Sequence, residues 1–318
     1  MTMRFLVVGA GAIGGYFGGR LLEAGRDVTF LVRPRRAAQL ASTGLALRSR
    51  FGDVVLPAPP HLLADALREP FDVVLLSCKA YDLAGAMEAF APAVGPDTAI
   101  LPLLNGMRHL DTLDARFGPD RVLGGECLIS TALDPDGGVV HLNDNHTLLF
   151  GERDGTRSVR AEAIAAAFAG ATFDGRLSEA ILQEMWEKWV FIATGAGITC
   201  LLRSAVGDIV AAGAAELAAA LLGECAAVAA RQGFPPRQDF LDRTRSTFTT
   251  PGSPLTASML RDIERGAPIE ADHILGDLLR RGGAAAADRH SLLRIALAHV
   301  QAYEARRARQ QAAQAPAA

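Results

Sequence analysis

Lys188 is the side chain with the strongest claim to chemistry. It lies between the chain's two tryptophans, in Glu184-Met-Trp186-Glu-Lys188-Trp189-Val-Phe-Ile192, and its neighbours from about Ile181 to Ile198 are almost all apolar. At about 100° per residue, Lys188 falls within about 40° of Ile181, Ile192 and Thr199, at the edge of an apolar helix face. An ammonium group there is costly to hold unless something uses it. Burial also moves a lysine toward the range useful for proton transfer. The alternative is a surface ion pair with Glu184, four residues earlier.

A second constellation stands at the N-terminus. The apolar run Met3 to Val8 ends in Gly9-Ala-Gly11-Ala12-Ile13-Gly14-Gly15, a helical pattern follows to about Ala24, and Val28 to Val32 is again apolar. Strand, glycine turn, helix and strand within about thirty residues is the setting in which such a turn binds a dinucleotide. Gly9 permits the tight turn, Gly11 lets the backbone approach a pyrophosphate, and Gly14 lets helix and strand pack closely. The helix N-terminus, at Ala12 and Ile13, faces the phosphates.

The end of the second strand selects between cofactors. An NAD site usually places an acid there, but this chain has Arg33-Pro34-Arg35-Arg36. Guanidinium groups match a 2′-phosphate in charge and fork geometry, so NADP(H) is expected, with Arg33 best placed. A solvated basic loop is the competing reading. Two further apolar runs, Phe71 to Cys78 and Ala99 to Leu104, read as strands buried on both faces. They end at Lys79 and at Asn105-Gly106-Met107. Ligands bind outside the carboxyl ends of such strands, so Lys79 and Asn105 are candidate nicotinamide-ribose neighbours.

From Arg121 to about Phe173 the pattern predicts short strands and turns, an antiparallel end to the same sheet, with His141 and His146 flanking a turn. Beyond Leu177 nearly everything reads as helix. Residues 209–231 form an alanine-rich helix, and Gly195 and Gly197 suggest close packing or a break in the helix of Lys188. Ser253-Pro254 resembles a helix start leading to Leu255–Arg265, and Glu270 opens a helix that runs to Arg281. The predicted domains are 1–177 (NADP-binding), 178–303 (helical, substrate and catalytic) and a disordered tail at 304–318.

Composition excludes several classes. A formal net charge of −3 gives no reason to expect nucleic acid. No apolar run of membrane-spanning length lacks a charge or glycine, and the N-terminus enters a strand without a signal architecture. The four cysteines are scattered without a CxxC, and the seven histidines have no metal spacing. A metal-free, cytoplasmic protein is expected. Alanine-rich helices would suit a homodimer.

Hydride delivery to a carbonyl needs a proton donor, and the N-terminal half offers no well-placed histidine or tyrosine, so Lys188 is the leading candidate. The chain resembles the ketopantoate reductases (2-dehydropantoate 2-reductases) over roughly residues 3–300. The resemblance rests on Gly9-Ala-Gly-Ala-Ile-Gly14, Arg33, Cys78-Lys79-Ala80-Tyr81, Asn105-Gly106-Met107, Trp186-Glu-Lys188, Ser258-Met-Leu-Arg-Asp262 and Glu270. It implies a Rossmann-type domain followed by an all-helical domain of the 6-phosphogluconate dehydrogenase type. It further implies that Lys188 is the general acid, and that Lys79, Asn105 and Glu270 surround the nicotinamide ribose and the lysine. Ser258 would bind the carboxylate of a small 2-oxo acid. Taken by themselves, Glu270 could be a first-turn carboxylate and Ser258 an ordinary helical serine.

The family's substrate-binding asparagines are replaced here by Ile192, Ala196, Val206 and Leu255. The resemblance therefore implies NADPH-dependent reduction of 2-dehydropantoate, with two alternatives: a reductase or dehydrogenase for a less polar 2-oxo or hydroxy acid, and a non-catalytic NADP-binding redox sensor.

Overall fold

The computed structural model describes residues 2–283 and 288–314. It divides into two compact units: the chain up to Asn105 together with His109–Leu182, and Gly106–Arg108 together with the chain from Gln183 onward.

In the first unit, β1 (Arg4–Val8), α1 (Ala12–Glu23) and β2 (Asp27–Leu31) form the predicted βαβ start, with β1 and β2 paired in parallel. Next come α2 (Pro34–Thr43), β3 (Leu45–Arg48), β4 (Val54–Leu56) and β5 (His61–Leu62), then β6 (Val73–Leu76), α3 (Leu83–Phe90) and β7 (Ala99–Pro102). One parallel sheet has the order β5-β2-β1-β6-β7. Its β6 and β7 are buried throughout, which is why their sequences are unbroken apolar runs rather than alternating ones. The chain leaves β1 toward β2 on one side and later returns to β6 on the other. The carboxyl end of β1 is therefore a topological switch point, where open α/β sheets bind ligands.

After α4 (Arg108–Phe117) the structure departs from the expected antiparallel end to that sheet. β8 (Gly124–Leu133) and β9 (Val139–Gly151) are long antiparallel strands of a separate sheet. β9 also pairs in parallel with β3 and with β10 (Asp174–Leu177), giving the order β10-β9-β3-β4 with β8 against β9. Both edges of β9 are thus occupied, and neither strand joins the first sheet. The same stretch contains a helix that the turn-rich reading missed, α5 (Val159–Phe168), capped by Ser158 Oγ accepting from Ala161 N.

Helix α1 packs between the two sheets through paired glycines. A Cβ on Gly14 would overlap the Gly9 carbonyl and Ser77 Oγ, and one on Gly18 would come within 2.6 Å of the Phe30 ring. One residue round the helix, a Cβ on Gly15 would meet Val139 at 2.9 Å, and one on Gly19 would meet Leu47 at 2.8 Å. Each pair is spaced one turn apart, so one glycine stripe faces each sheet. Four helical glycines cost about 1 kcal/mol each relative to alanine; the close approach of two sheets offsets that cost.

His141 and His146 lie in β9 and not in a turn, although Leu142–Asn145 bulge out of the ladder between the His141 and His146 pairings with β8. Asn143 Oδ1 accepts from Ser130 N at 2.8 Å across this bulge. Tyr16 of α1 places its hydroxyl 2.9 Å from His146 Nδ1, and Phe51 stacks on His146 with ring centroids 3.8 Å apart. Burial, with His141 and the Arg20 guanidinium nearby, holds His146 below the ordinary imidazole range. Protonation therefore favours the unfolded chain. The stabilisation is complete above pH about 6.5 and is lost as pH falls through the lowered folded value. Thermal unfolding should occur at a lower temperature at pH 5.5 than at pH 7.5, and His146→Gln should reduce that difference. An unchanged difference in the variant would assign the pH dependence to other groups.

The second unit is helical: α6 (Ile181–Leu202), α7 (Val206–Ala211), α8 (Ala215–Arg231), α9 (Gln238–Phe248), α10 (Ser258–Glu264), a π-helical turn at Asp272–Gly276 continuing into α11 (Asp277–Arg281), and α12 (Leu292–Gln314). Helix α6 is unbroken at its glycines. Gly195 and Gly197 instead make room, since a Cβ would lie 2.9 Å from the Phe248 ring and 2.7 Å from Leu221 respectively. The predicted helix 209–231 is two helices, separated at Gly213 with φ +74°.

The helix expected from Leu255 begins only at Ser258. Ser253 and Leu255 use their carbonyls to accept from Gly207 N and Val206 N, which holds that segment outside the helix. Residues 304–314, expected to be a disordered tail, continue α12, where Arg307 Nε donates to Gly266 O and Tyr303 Oη to Ala267 O. Alanine, glutamine and arginine are good helix formers, and these two bonds tie the helix down. The rest of that tail, 315–318, lies outside the described residues.

None of the four cysteines is in a disulfide, and burial pushes the Cys200 and Cys225 thiols up to about 12. Among the described residues no helix is long and apolar enough to cross a membrane.

Candidate active site

In the sheet β5-β2-β1-β6-β7 the strands run parallel, so the carboxyl ends of β1, β6 and β7 lie on one side of it. Gly9 follows β1 with φ +96°, a backbone conformation that favours glycine. Ser77, just after β6, donates its hydroxyl to Val8 O at 2.9 Å and holds the two strand ends together. Gly11 is the N-cap residue of α1. No side chain caps this end, the first turn carries no acid, and a Cβ on Gly11 would meet nothing within 4 Å. Ala12, Ile13 and Gly14 form the first turn, whose amides point outward at the positive end of the helix dipole.

Arg33 and Arg36 are placed differently. Arg33 is the N-cap residue of α2, and its side chain, 74% exposed, donates to Asp82 at 2.7 Å. The Asp82 carboxylate raises its already high pKa. Arg36 lies one turn further on. Its Nε donates to the Ala10 carbonyl at 2.9 Å, inside the glycine loop, and Nη1 donates to Gln39 at 2.6 Å. Arg36 Nη2 is buried with no hydrogen-bond partner. An open helix N-terminus, a guanidinium seated on the glycine loop and an unused buried donor fit a dinucleotide that carries an extra phosphate. Sequence reasoning preferred Arg33; the i,i+3 spacing on α2 was the available signal for Arg36.

Lys79 follows β6 and precedes the turn Ala80–Asp82 that carries the partner of Arg33. Asn105 follows β7 and is the last residue of its segment in the first unit. The next three residues, Gly106–Arg108, belong to the second unit.

In the second unit Lys188 is half-buried, whereas Trp186 and Trp189 are 2% and 0% exposed. Two contacts set how α6 is rotated. Trp189 Nε1 donates to Ile274 O at 2.9 Å, in the π-helical turn just after Glu270. Glu187 accepts from Arg237 N at 2.8 Å, from Arg237 Nε at 2.9 Å and from Gln183 Nε2 at 3.2 Å. Burial raises the Glu187 carboxyl, but these donors outweigh it and leave its pKa below the ordinary range. Both neighbours being pinned, the face of α6 that carries Lys188 is the one that also carries Ile192 and Thr199.

That face leads toward Ser258. Thr199 Oγ1 donates to Gly195 O at 2.7 Å and accepts from Ala257 N at 3.3 Å, so the start of α10 hangs on α6 three turns beyond Lys188. Glu270 sits where the π-helical turn begins, its carbonyl accepting from Ile274 N at 2.9 Å. Helix α6 thus carries Lys188 and contacts the segments that hold Glu270 and Ser258. Around them Ala196 and Val206 are 4% and 0% exposed, and Val206 N is bonded to Leu255 O at 3.0 Å. These side chains are packed and apolar.

Comparison with known proteins gives a consistent picture. The family described as "Ketopantoate reductase PanE/ApbA" matches residues 5–155, and "Ketopantoate reductase PanE/ApbA C terminal" matches residues 180–304. YkpB of Bacillus subtilis, named as an uncharacterized oxidoreductase, is 41% identical over 308 residues, covering 95% of this chain and 99% of its own length. A 2-dehydropantoate 2-reductase of Mesorhizobium japonicum is 29% identical over 304 residues, covering 88% and 91%. The crystal structure of 2-dehydropantoate 2-reductase from Methylococcus capsulatus superposes with a TM-score of 0.84 at 28% identity, covering 96% of this chain and 98% of that one.

Proposed function

This chain belongs to the ketopantoate reductase family, and we propose that it reduces a 2-oxo acid to the 2-hydroxy acid, with 2-dehydropantoate as the default substrate. As a family member it is an NADP-dependent oxidoreductase acting on CH–OH groups, which removes the non-catalytic sensor alternative. The observation that carries the reading is the half-buried Lys188, set on α6 between two pinned neighbours.

NADPH, when bound, supplies the hydride to the 2-oxo carbon. Lys188 as ammonium donates a proton to the carbonyl oxygen as negative charge develops there. Its neutral amine is then reprotonated from solvent. Ser258 donates its hydroxyl to the substrate carboxylate, and Asn105 orients the lysine or the carbonyl. Glu270 and Lys79 hold the nicotinamide ribose. Gly9, Gly11, Ala12, Ile13 and Gly14 cradle the pyrophosphate. Arg36, with Arg33, meets the 2′-phosphate.

A second reading concerns the substrate alone: a less polar 2-oxo acid. Buried Ala196 and Val206, with Ile192 and Leu255 beside them, favour it, because these side chains offer no amide to a substrate hydroxyl. The test is a panel of 2-oxo acids followed by NADPH absorbance, repeated with NADH. We expect ketopantoate to be reduced, and NADPH to be used in preference to NADH. A branched or aryl 2-oxo acid with kcat/KM about 10- to 100-fold above that of ketopantoate would replace the default with the second reading. No turnover of any 2-oxo acid would overturn the substrate class.

A further inference from the structure

The segments that follow three of the proposed catalytic positions converge on one short element, the π-helical turn Asp272–Gly276. Such turns are rare and often mark functional sites. From one side, the turn after Asn105 is seated against it. Gly106 has φ +75°, and a Cβ there would lie 3.2 Å from both the His273 ring and the His273 carbonyl. Arg108 Nη1 then donates to Asp272 Oδ2 at 2.6 Å. From another side, Trp189, the residue after Lys188, donates to Ile274 O at 2.9 Å. Glu270 is covalently two residues before Asp272, and its carbonyl closes onto Ile274 N.

Asp272 is itself held from both sides. Arg280 Nη1 donates to Oδ1 at 2.6 Å, opposite the bond from Arg108, and its Nη2 reaches Oδ2 at 3.2 Å and the Asp272 carbonyl at 3.3 Å. Gly276 leaves space for the carboxylate, since a Cβ there would overlap Asp272 Oδ1. The two guanidiniums hold the Asp272 carboxyl below its ordinary range despite partial burial, and Asp272 in turn helps burial raise Glu304. A carboxylate between two arginines, at the foot of a π-helical turn, is more than helix formation requires.

We propose that Asp272 is a positioning residue: through Arg108 and the π-helical turn it sets the turn following Asn105, the helix of Lys188 and the backbone of Glu270 in one arrangement. Asp272 does not touch the reacting atoms in this scheme. It acts through groups that do, and the inference therefore rests on the catalytic roles given to those three residues under Proposed function. A displacement of about 1 Å at a reacting group can cost about 100-fold in rate, which sets the scale of the effect.

The test compares Asp272→Ala, Asp272→Asn, Arg108→Ala, Arg108→Lys and the double variant Asp272→Ala/Arg108→Ala with the wild-type protein. Asp272→Asn keeps the shape of the side chain and covers the case in which alanine impairs folding. The readouts are kcat and KM for the best 2-oxo acid, NADPH affinity by fluorescence titration, and hydrogen–deuterium exchange of residues 106–110 and 272–276. For Asp272→Ala we expect kcat to fall about 10- to 100-fold, NADPH affinity to stay within about twofold, and exchange in 106–110 to accelerate. Arg108→Lys should recover much of the loss caused by Arg108→Ala, and the double variant should be no slower than the worse single one. A kcat within about twofold of wild type in the variants of both residues, or unaltered exchange in 106–110, would overturn the proposal. Should the wild-type protein reduce no 2-oxo acid, the substrate reading fails on its own, and the exchange data still decide whether Asp272 orders the turn after Asn105.

Discussion

Alanine at position 188 is expected to lower turnover about 10³-fold, within the range that a positioned general acid contributes. NADPH affinity should change little, because the groups assigned to the pyrophosphate and the 2′-phosphate are the glycine loop, Arg33 and Arg36, and do not include Lys188. The variant should also fold normally. The ties that orient α6 run through Trp189 to Ile274 and through Glu187 to Arg237, and neither uses the lysine side chain. Lys188→Arg should not restore activity: a guanidinium keeps its charge but holds its proton too tightly to act as an acid. Single-turnover measurements with NADPH and the best 2-oxo acid check this result. Turnover in Lys188→Ala close to the wild-type value would remove the lysine from the mechanism.

The second large effect is expected at Gly14. A side chain here has no place to go, because its Cβ would overlap the Gly9 carbonyl and Ser77 Oγ and would sit 3.1 Å from Val7. The hydroxyl of Ser77 could rotate, but the Gly9 carbonyl is backbone in the tight turn itself. Gly14→Ala should therefore push α1 away from β1, costing about 1–3 kcal/mol, which lowers the melting temperature by several degrees in a protein of this size. It should also weaken NADPH binding, since the loop and the helix N-terminus no longer share one geometry.

Gly11→Ala separates the two consequences. Gly11 has an ordinary φ of −80°, and a Cβ there meets nothing in the protein. Stability should stay near wild type, whereas NADPH affinity should fall because the added methyl occupies the space left for the pyrophosphate. Calorimetric unfolding and fluorescence titration of both variants make the comparison. Equal losses of stability in the two would contradict the packing argument.

How far the sequence could be read depended on the range of the interactions involved. The βαβ start was legible because everything it needs lies within about thirty residues: apolar runs, a glycine turn and a helical period. The strands β6 and β7 were legible because burial on both faces leaves unbroken apolar runs. The second sheet was not. β9 gains its identity from β3 and β10, strands distant from it in sequence, and no local period announces which edge a strand will join. The π-helical turn was equally hidden: its five residues look like the start of an ordinary helix, and only packing distinguishes the two hydrogen-bond patterns.

By itself, then, the sequence determined the chemistry's class: a glycine cradle for a dinucleotide, arginines in place of an acid after β2, and one lysine embedded in an apolar helix. Those are properties of residue type and spacing. The tertiary structure decided which groups do the positioning. It seated Arg36 on the Ala10 carbonyl, turned the glycines of α1 into two packing stripes, and joined Arg108 to Asp272 across 164 residues of chain. Each of these depends on atoms brought together by folding, where a hydrogen bond or a few tenths of an ångström of clearance decides the outcome and sequence separation carries no information.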